Sequence, residues 1–197
     1  MKFIMAREKR SYHHGGLREA LVGAGTAILE KHGLADLSLR AIARAAGVSH
    51  AALTHHFETL ADLLAEIAAR GFERFVTQLA RKSEGSATPE TKLGAMSRAY
   101  VGFALENPAV YELMFRQGSK DLDSAHLDQA AGAAWRQLED AVAAIDPENA
   151  QQRAAFVWSA VHGLATLLID KRFPPSVDVH GLIDANAARI AKAVGAN

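Results

Sequence analysis

Apolar residues along this chain recur at intervals of three and four rather than two, a pattern that predicts helices and no strands. The clearest block runs from Ser38 to Leu64, SLRAIARAAGVSHAALTHHFETLADLL. Within it Leu39, Ile42, Ala43 and Ala46 fall at helical spacing, Gly47 follows with Val48 as a plug, and Ser49 opens a second run through Leu53 to Phe57. A glycine after a helix takes the left-handed conformation that turns the chain sharply, and a serine caps the free N–H groups of the next helix. Two short helices crossing through such a turn predict a DNA-binding helix-turn-helix.

The same reading extends along the chain. A first helix starts at Leu17, with Leu17, Leu21, Ala24 and Ile28 as its stripe, and stops at Lys31, His32 and Gly33. Ser38 and Ser49 are the expected caps of the second and third helices, and Thr59 to Asp62 makes a capping box for a long fourth helix carrying Leu63, Leu64, Ile67, Phe72, Phe75, Val76 and Leu79. Three junctions, Thr88-Pro89, Asn107-Pro108 and Asp146-Pro147, each pair a capping residue with a proline at the expected first helical position. A further helix is expected over about Leu122 to Ile145 and a last one over Val179 to Val194, after Pro174-Pro175. The fold class is therefore all-α with about nine helices: an N-terminal three-helix unit over residues 1–60 and a C-terminal helical bundle over 61–197.

One segment, Glu148 to Lys171, is apolar or small nearly all round between Ala154 and Ile169, so it needs cover on both sides. Phe156, Val157, Val161, Leu164 and Leu168 are expected to face one partner and Trp158, Ala165 and Ile169 another. One side is then a subunit interface, which the final helix joins through Leu182, Ile183, Ala187, Ile190 and Val194, giving a homodimer through the last two helices. The alternative is the central helix of a monomeric bundle.

Composition changes this picture little, but charge sharpens it. The absence of cysteine excludes disulfides and thiolate metal sites, and the charged amino terminus and the short Ala154–Ile169 run supply neither signal peptide nor spanning helix, so a cytoplasmic protein without membrane contact is expected. Net charge is zero, yet residues 1–60 hold eight Lys/Arg against five Asp/Glu and six of the nine histidines. A phosphate-facing surface therefore belongs to the amino-terminal third.

Candidate contacts follow from that. On the third helix Ser49, His50, Ala51, Thr54 and His55 fall on the expected exposed side, with His56 at its end. Histidine can donate to guanine acceptors and alanine can meet a thymine methyl. Arg40 and Arg44, one turn apart on the second helix, suit phosphates, which position without specifying. The stretch with Lys9, Arg10, Tyr12, His13 and His14 is either a solvated terminus or an arm touching phosphates or a minor groove. Tyr100, Phe103, Tyr111, Met114, Phe115, Trp135, Trp158 and His162 offer surface for an apolar or aromatic effector or serve as ordinary core. No HExxH, GxSxG or phosphate loop appears, so neither metal, cofactor nor catalysis is expected.

On these residues the chain resembles the TetR family of bacterial one-component regulators. The GVS turn of Gly47, Val48 and Ser49 and the ALxxHF run of Ala52, Leu53, His55, His56 and Phe57 carry the resemblance. Tyr12-His13-His14-Gly15, Asn107-Pro108-Ala109-Val110-Tyr111 and Trp158 to Gly163 resemble the branch with a Trp-His-Gly signature. The resemblance implies a repressor that binds a palindromic double-stranded operator as a homodimer and is released by a small-molecule effector in the C-terminal domain. Two positions depart from it: Thr54 stands where a tyrosine is common and Leu60 where a lysine is common, both usual phosphate contacts. The rival readings are a helical ligand-binding or scaffold protein that has lost DNA binding, and a helical enzyme without a visible constellation.

Overall fold

A computed structural model describes residues 14–115, 122 and 124–195, of His14 and Gly15 the backbone alone. Among the described residues there are nine α-helices and no strand. They are α1 (His14–His32), α2 (Leu39–Ala45), α3 (His50–Thr54), α4 (Leu60–Ser83), α5 (Pro89–Glu106), α6 (Pro108–Phe115), α7 (Ala125–Ala143), α8 (Ala150–Ile169) and α9 (Val179–Gly195). A 3-10 turn, Leu34–Asp36, precedes α2. The chain divides into two compact units between Leu63 and Leu64.

In the first unit the ends of the helices are set by local hydrogen bonds. Ser38 accepts from the Ala41 N–H at 3.2 Å and Ser49 from the Ala52 N–H at 3.1 Å. Between them, Val48 N–H donates to Ala43 O at 2.9 Å and Gly47 N–H to Arg44 O at 3.2 Å, with Gly47 at φ 70°. This is the paired bonding that closes a helix through a left-handed residue, and it turns α2 into α3. Thr59 and Asp62 exchange both bonds of a capping box at the start of α4, at 2.8 and 3.1 Å. Leu21, Leu29, Leu37, Ile42, Ala43, Leu53, Phe57 and Leu63 bury together as its core. The stripe of α1 is displaced from the expected one. Leu21, Val22 and Leu29 are buried while Leu17, Ala24 and Ile28 are half-buried, because the face that meets α2 is turned by about one residue, roughly 100°.

The second unit is built around α5, which packs against α6, α7, α8 and α9 and buries Leu93, Met96, Tyr100, Val101, Phe103 and Ala104. Within a single chain the helix covered on both sides is α5, in contrast to α8, one side of which is expected to meet a partner subunit. The latter buries Ala154, Val157, Val161, Leu164 and Ala165 and leaves Phe156 (51%), Trp158 (40%) and Leu167 (44%) exposed. Phe156 therefore does not share a face with Val157, from which it is turned by one residue's rotation on the helix. Close approach of α6 to α4 rests on Gly71, where an added Cβ would stand 2.8 Å from Met114 Sδ and 2.9 Å from Val110 Cγ1.

Two of the three proline junctions start helices at the proline. Thr88 caps α5 with a full capping box to Thr91, and Pro108 begins α6, although the Asn107 amide turns back to donate to Phe103 O at 3.0 Å. The third does not. Asp146 accepts from the Asn149 N–H and side-chain amide, so Pro147 sits in a turn and α8 begins only at Ala150. Arg153 pairs with Asp146 and donates to the Ala193 and Val194 carbonyls at 2.8 and 2.7 Å, tying the start of α8 to the end of α9. Among the described residues no helix is long and apolar enough to cross a membrane.

Candidate functional site

The α2–turn–α3 pair presents one polar face over a wholly buried back. Leu53 (0% exposed) and Phe57 (1%) point inward and lock α3 to the core, and Arg40, Arg44, Ser49, His50, Ala51 and His55 are exposed. Arg40 and Arg44 are paired with no carboxylate among the described residues, so their charge is available to an external anion. The Ser49 oxygen is engaged by the Ala52 N–H, which makes it a cap first. Thr54 is half-buried and its hydroxyl donates to Ala51 O at 3.1 Å. His56 is half-buried beside His55, their rings 5.7 Å apart, and its carbonyl accepts from Arg18 at 3.3 Å. Lys9, Arg10 and Tyr12 lie outside the described residues.

Arg18 is a positioning residue that the sequence pattern did not reveal. Its guanidinium lies 4.4 Å from the Phe57 ring centroid as well as bonding His56 O, so one α1 side chain clamps the segment leaving α3. Its partners His56 and Phe57 are 38 and 39 residues away in sequence, beyond any helical period. Leu60, half-buried as the first residue of α4, offers no side-chain donor.

The second unit holds a partly open cavity of about 450 Å³. Its walls are Phe72, Phe75 and Leu79 of α4, Met96 and Tyr100 of α5, Phe115 of α6, Trp135 and Leu138 of α7, and Val157 and Trp158 of α8. Phe115, Trp135 and Trp158 thus line it, as does Tyr100. The other expected pocket residues, Phe103, Tyr111, Met114 and His162, are not lining residues but stand behind the wall. Phe103 packs on Phe75 with centroids 5.3 Å apart, Met114 sits against Gly71, and Tyr111 and His162 back the Tyr100 hydroxyl. The α4 aromatics were visible as a stripe, but nothing local says which side of a buried stripe faces a void.

No lining residue carries a formal charge. The hydroxyls of Tyr100 and Tyr111 are 3.3 Å apart, and both reach His162 Nδ1, at 2.9 and 2.7 Å. Burial pushes Tyr100 up and Tyr111 up to about 12, and burial holds the His162 imidazole below its ordinary value. Both hydroxyls therefore keep their protons and His162 is neutral at neutral pH. The wall is polar behind and apolar in front. An ion entering it would lose hydration with no countercharge, whereas a neutral aromatic body would meet the rings of six aromatic side chains.

Residues 21–67 match the family profile described as bacterial regulatory proteins, tetR family, and residues 93–190 match the tetracyclin repressor-like C-terminal domain. An uncharacterized HTH-type transcriptional regulator of Mycobacterium tuberculosis is 28% identical over 151 residues, covering 76% of this chain and 69% of that one. Another, of Bacillus subtilis, is 31% identical over 98 residues, about half of each chain (50% and 51%). Among solved structures, a protein with unknown function from Rhodococcus sp. RHA1 superposes with a TM-score of 0.83 at 30% identity, over 95% of this chain and 100% of that one.

Proposed function

The chain belongs to the TetR family of bacterial transcriptional regulators, with a DNA-binding helix-turn-helix, and on that premise we propose that it is a repressor released from a palindromic operator by a small, uncharged effector. The observation that carries the reading is the pairing of two features. One is an exposed Arg40, Arg44, His50, Ala51 and His55 face over a locked recognition helix; the other is a partly open, charge-free cavity in the other unit. We assign operator reading to the amino-terminal unit and effector binding and dimerisation to the carboxy-terminal one. Arg40 and Arg44 hold phosphates, His50, Ala51 and His55 meet base edges, and Ser49, Thr54, His56 and the Lys9–Tyr12 arm support them. The Trp158, His162 and Gly163 signature on α8 supports placing the chain in the Trp-His-Gly branch.

Dimerisation through α8 and α9 is supported by the exposed apolar side chains Phe156 and Leu167, which a monomer would leave in water. Two recognition helices would then meet successive major grooves about 34–36 Å apart. Helix α4 provides the route of release, since its first turn belongs to the amino-terminal unit and its Phe72, Phe75 and Leu79 line the cavity. The effector must bind one conformer better than the other for any shift to occur. The place of action is the cytoplasm, where the operator is.

A gel shift on the DNA upstream of the chain's own gene tests this: a salt-sensitive, sequence-dependent complex is expected, and equal mobility of operator and random DNA at low salt refutes it. One observation favours a second reading, a ligand-binding protein without an operator. The Thr54 hydroxyl is already spent on Ala51 O and Leu60 has no donor, so two usual phosphate contacts are weak or missing. Retained ligand binding with no DNA complex would select it.

A further inference from the structure

Helix α7 forms one wall of the cavity with Ala131, Gly132, Trp135 and Leu138, and α4 forms another with Phe72, Phe75 and Leu79. Along its whole length α7 fully buries only Leu127, Ala130, Ala141 and Val142; its middle is half-buried and rests on α8, with the Trp135 and Trp158 ring centroids 6.1 Å apart. Its links to α4 include three polar ones. Gln137 donates to Val76 O at 3.0 Å, and His126, in the first turn of α7, stands between Glu66 and Glu73 with Nδ1 3.2 Å from Glu66 Oε2 and Nε2 3.0 Å from Glu73 Oε1.

The His126 contact has a proton requirement. Ionised carboxylates only accept, so filling both contacts takes a hydrogen on each ring nitrogen, which only the imidazolium has. A neutral ring keeps one and turns its other nitrogen's lone pair toward a carboxylate. Among the described residues, the charged groups facing the ring are Glu66 and Glu73, with Arg70 held on Glu66 at 3.0 Å. The Glu66 side chain is 7% exposed, so its charge is little screened.

We propose that His126 is a proton-dependent latch on the effector cavity: protonated, it pins α7 against α4, and deprotonated, it lets α7 swing away and admit the effector between the two helices. The proposal rests on the reading of the cavity as the effector site and adds the entry route and its control. Donating its ring hydrogens to Glu73 and then to Glu66 holds the His126 pKa above its ordinary 6.5. With a raised closed-state value, the latch is fully made below 6.5 and is lost as pH rises through the raised value. Its window is therefore the neutral to mildly alkaline range.

The two tryptophans of the chain both line the cavity, so energy transfer from them to N-phenyl-1-naphthylamine, a neutral apolar fluorophore, reports filling. Stopped-flow association is measured from about pH 6 to about pH 9 on the full chain. The rate constant of the natural protein is expected to rise roughly two- to fivefold across that range, the size of a part-exposed ion pair. His126→Ala should be fast and flat with pH. Glu73→Gln, a substitution of a half-exposed surface carboxylate that leaves the core untouched, should be faster at low pH and reach its plateau at lower pH. Identical pH profiles for all three chains overturn the latch while leaving the cavity reading intact. No binding at any pH overturns both.

Discussion

Replacing Gly47 by alanine isolates the turn between α2 and α3. Gly47 has φ 70°, and a Cβ built there meets nothing within 4 Å, so the cost is backbone strain alone and no clash relieves or adds to it. A left-handed alanine costs about 1–2 kcal/mol, and the stiffer unfolded chain returns about 0.4–1 kcal/mol, leaving a net loss of about 1 kcal/mol. Gly23→Ala is the matched control. It lies inside α1 with equally open space and no positive φ, where alanine gains about 0.5–1 kcal/mol over glycine. The same change of one methyl group should therefore move stability in opposite directions. In urea unfolding followed by circular dichroism, with a slope of about 2 kcal/mol/M, the Gly47→Ala midpoint should fall by about 0.5 M and the Gly23→Ala midpoint rise by about 0.3–0.5 M. Midpoints moving together, or Gly47→Ala without effect, would refute the left-handed closure of α2.

Further outcomes follow from the same geometry. Arg44→Ala should weaken binding to all DNA sequences alike and lower the salt slope by about one, while His55→Ala should relax preference at one base position by about 1–3 kcal/mol, both read by fluorescence anisotropy across salt and operator variants. Phe156→Glu places a charge on the exposed apolar face of α8 and should shift the chain from dimer to monomer in sedimentation velocity; an unchanged dimer would move the interface elsewhere. Hydrogen bonds from Asn149 foremost, helped by Arg153, hold the Asp146 carboxyl below its ordinary 3.8. The stability this contributes is present above 3.8 and lost as pH falls below it. Asp146→Asn should therefore lower the melting temperature near neutrality, with the gap to the natural protein closing in acid.

Much of the architecture was legible because its cause is local. The caps at Ser38 and Ser49, the Gly47 closure, the Thr59–Asp62 box and the Thr88–Pro89 start each close a ring of a few residues, so residue identity and spacing are enough. The exposed α3 face followed from the burial of Leu53 and Phe57 four residues apart. Asp146-Pro147 misled because Asp146 carries the same capping chemistry yet spends its oxygens on Asn149 and Arg153, three and seven residues on.

What the sequence by itself determined, then, is the helices, most of their ends and the exposed face of α3, since a capping hydrogen bond and a helical stripe need no partner from afar. Tertiary structure alone decided that α5 rather than α8 is the buried centre, that Phe115, Trp135 and Trp158 reach the cavity while Phe103, Tyr111, Met114 and His162 stand behind it, and that His126 meets Glu66 and Glu73 across 60 and 53 residues. A buried aromatic has the same pattern whether it faces a void or another ring. Which it faces depends on how each helix is rotated about its axis, and that rotation is set by all its neighbours together.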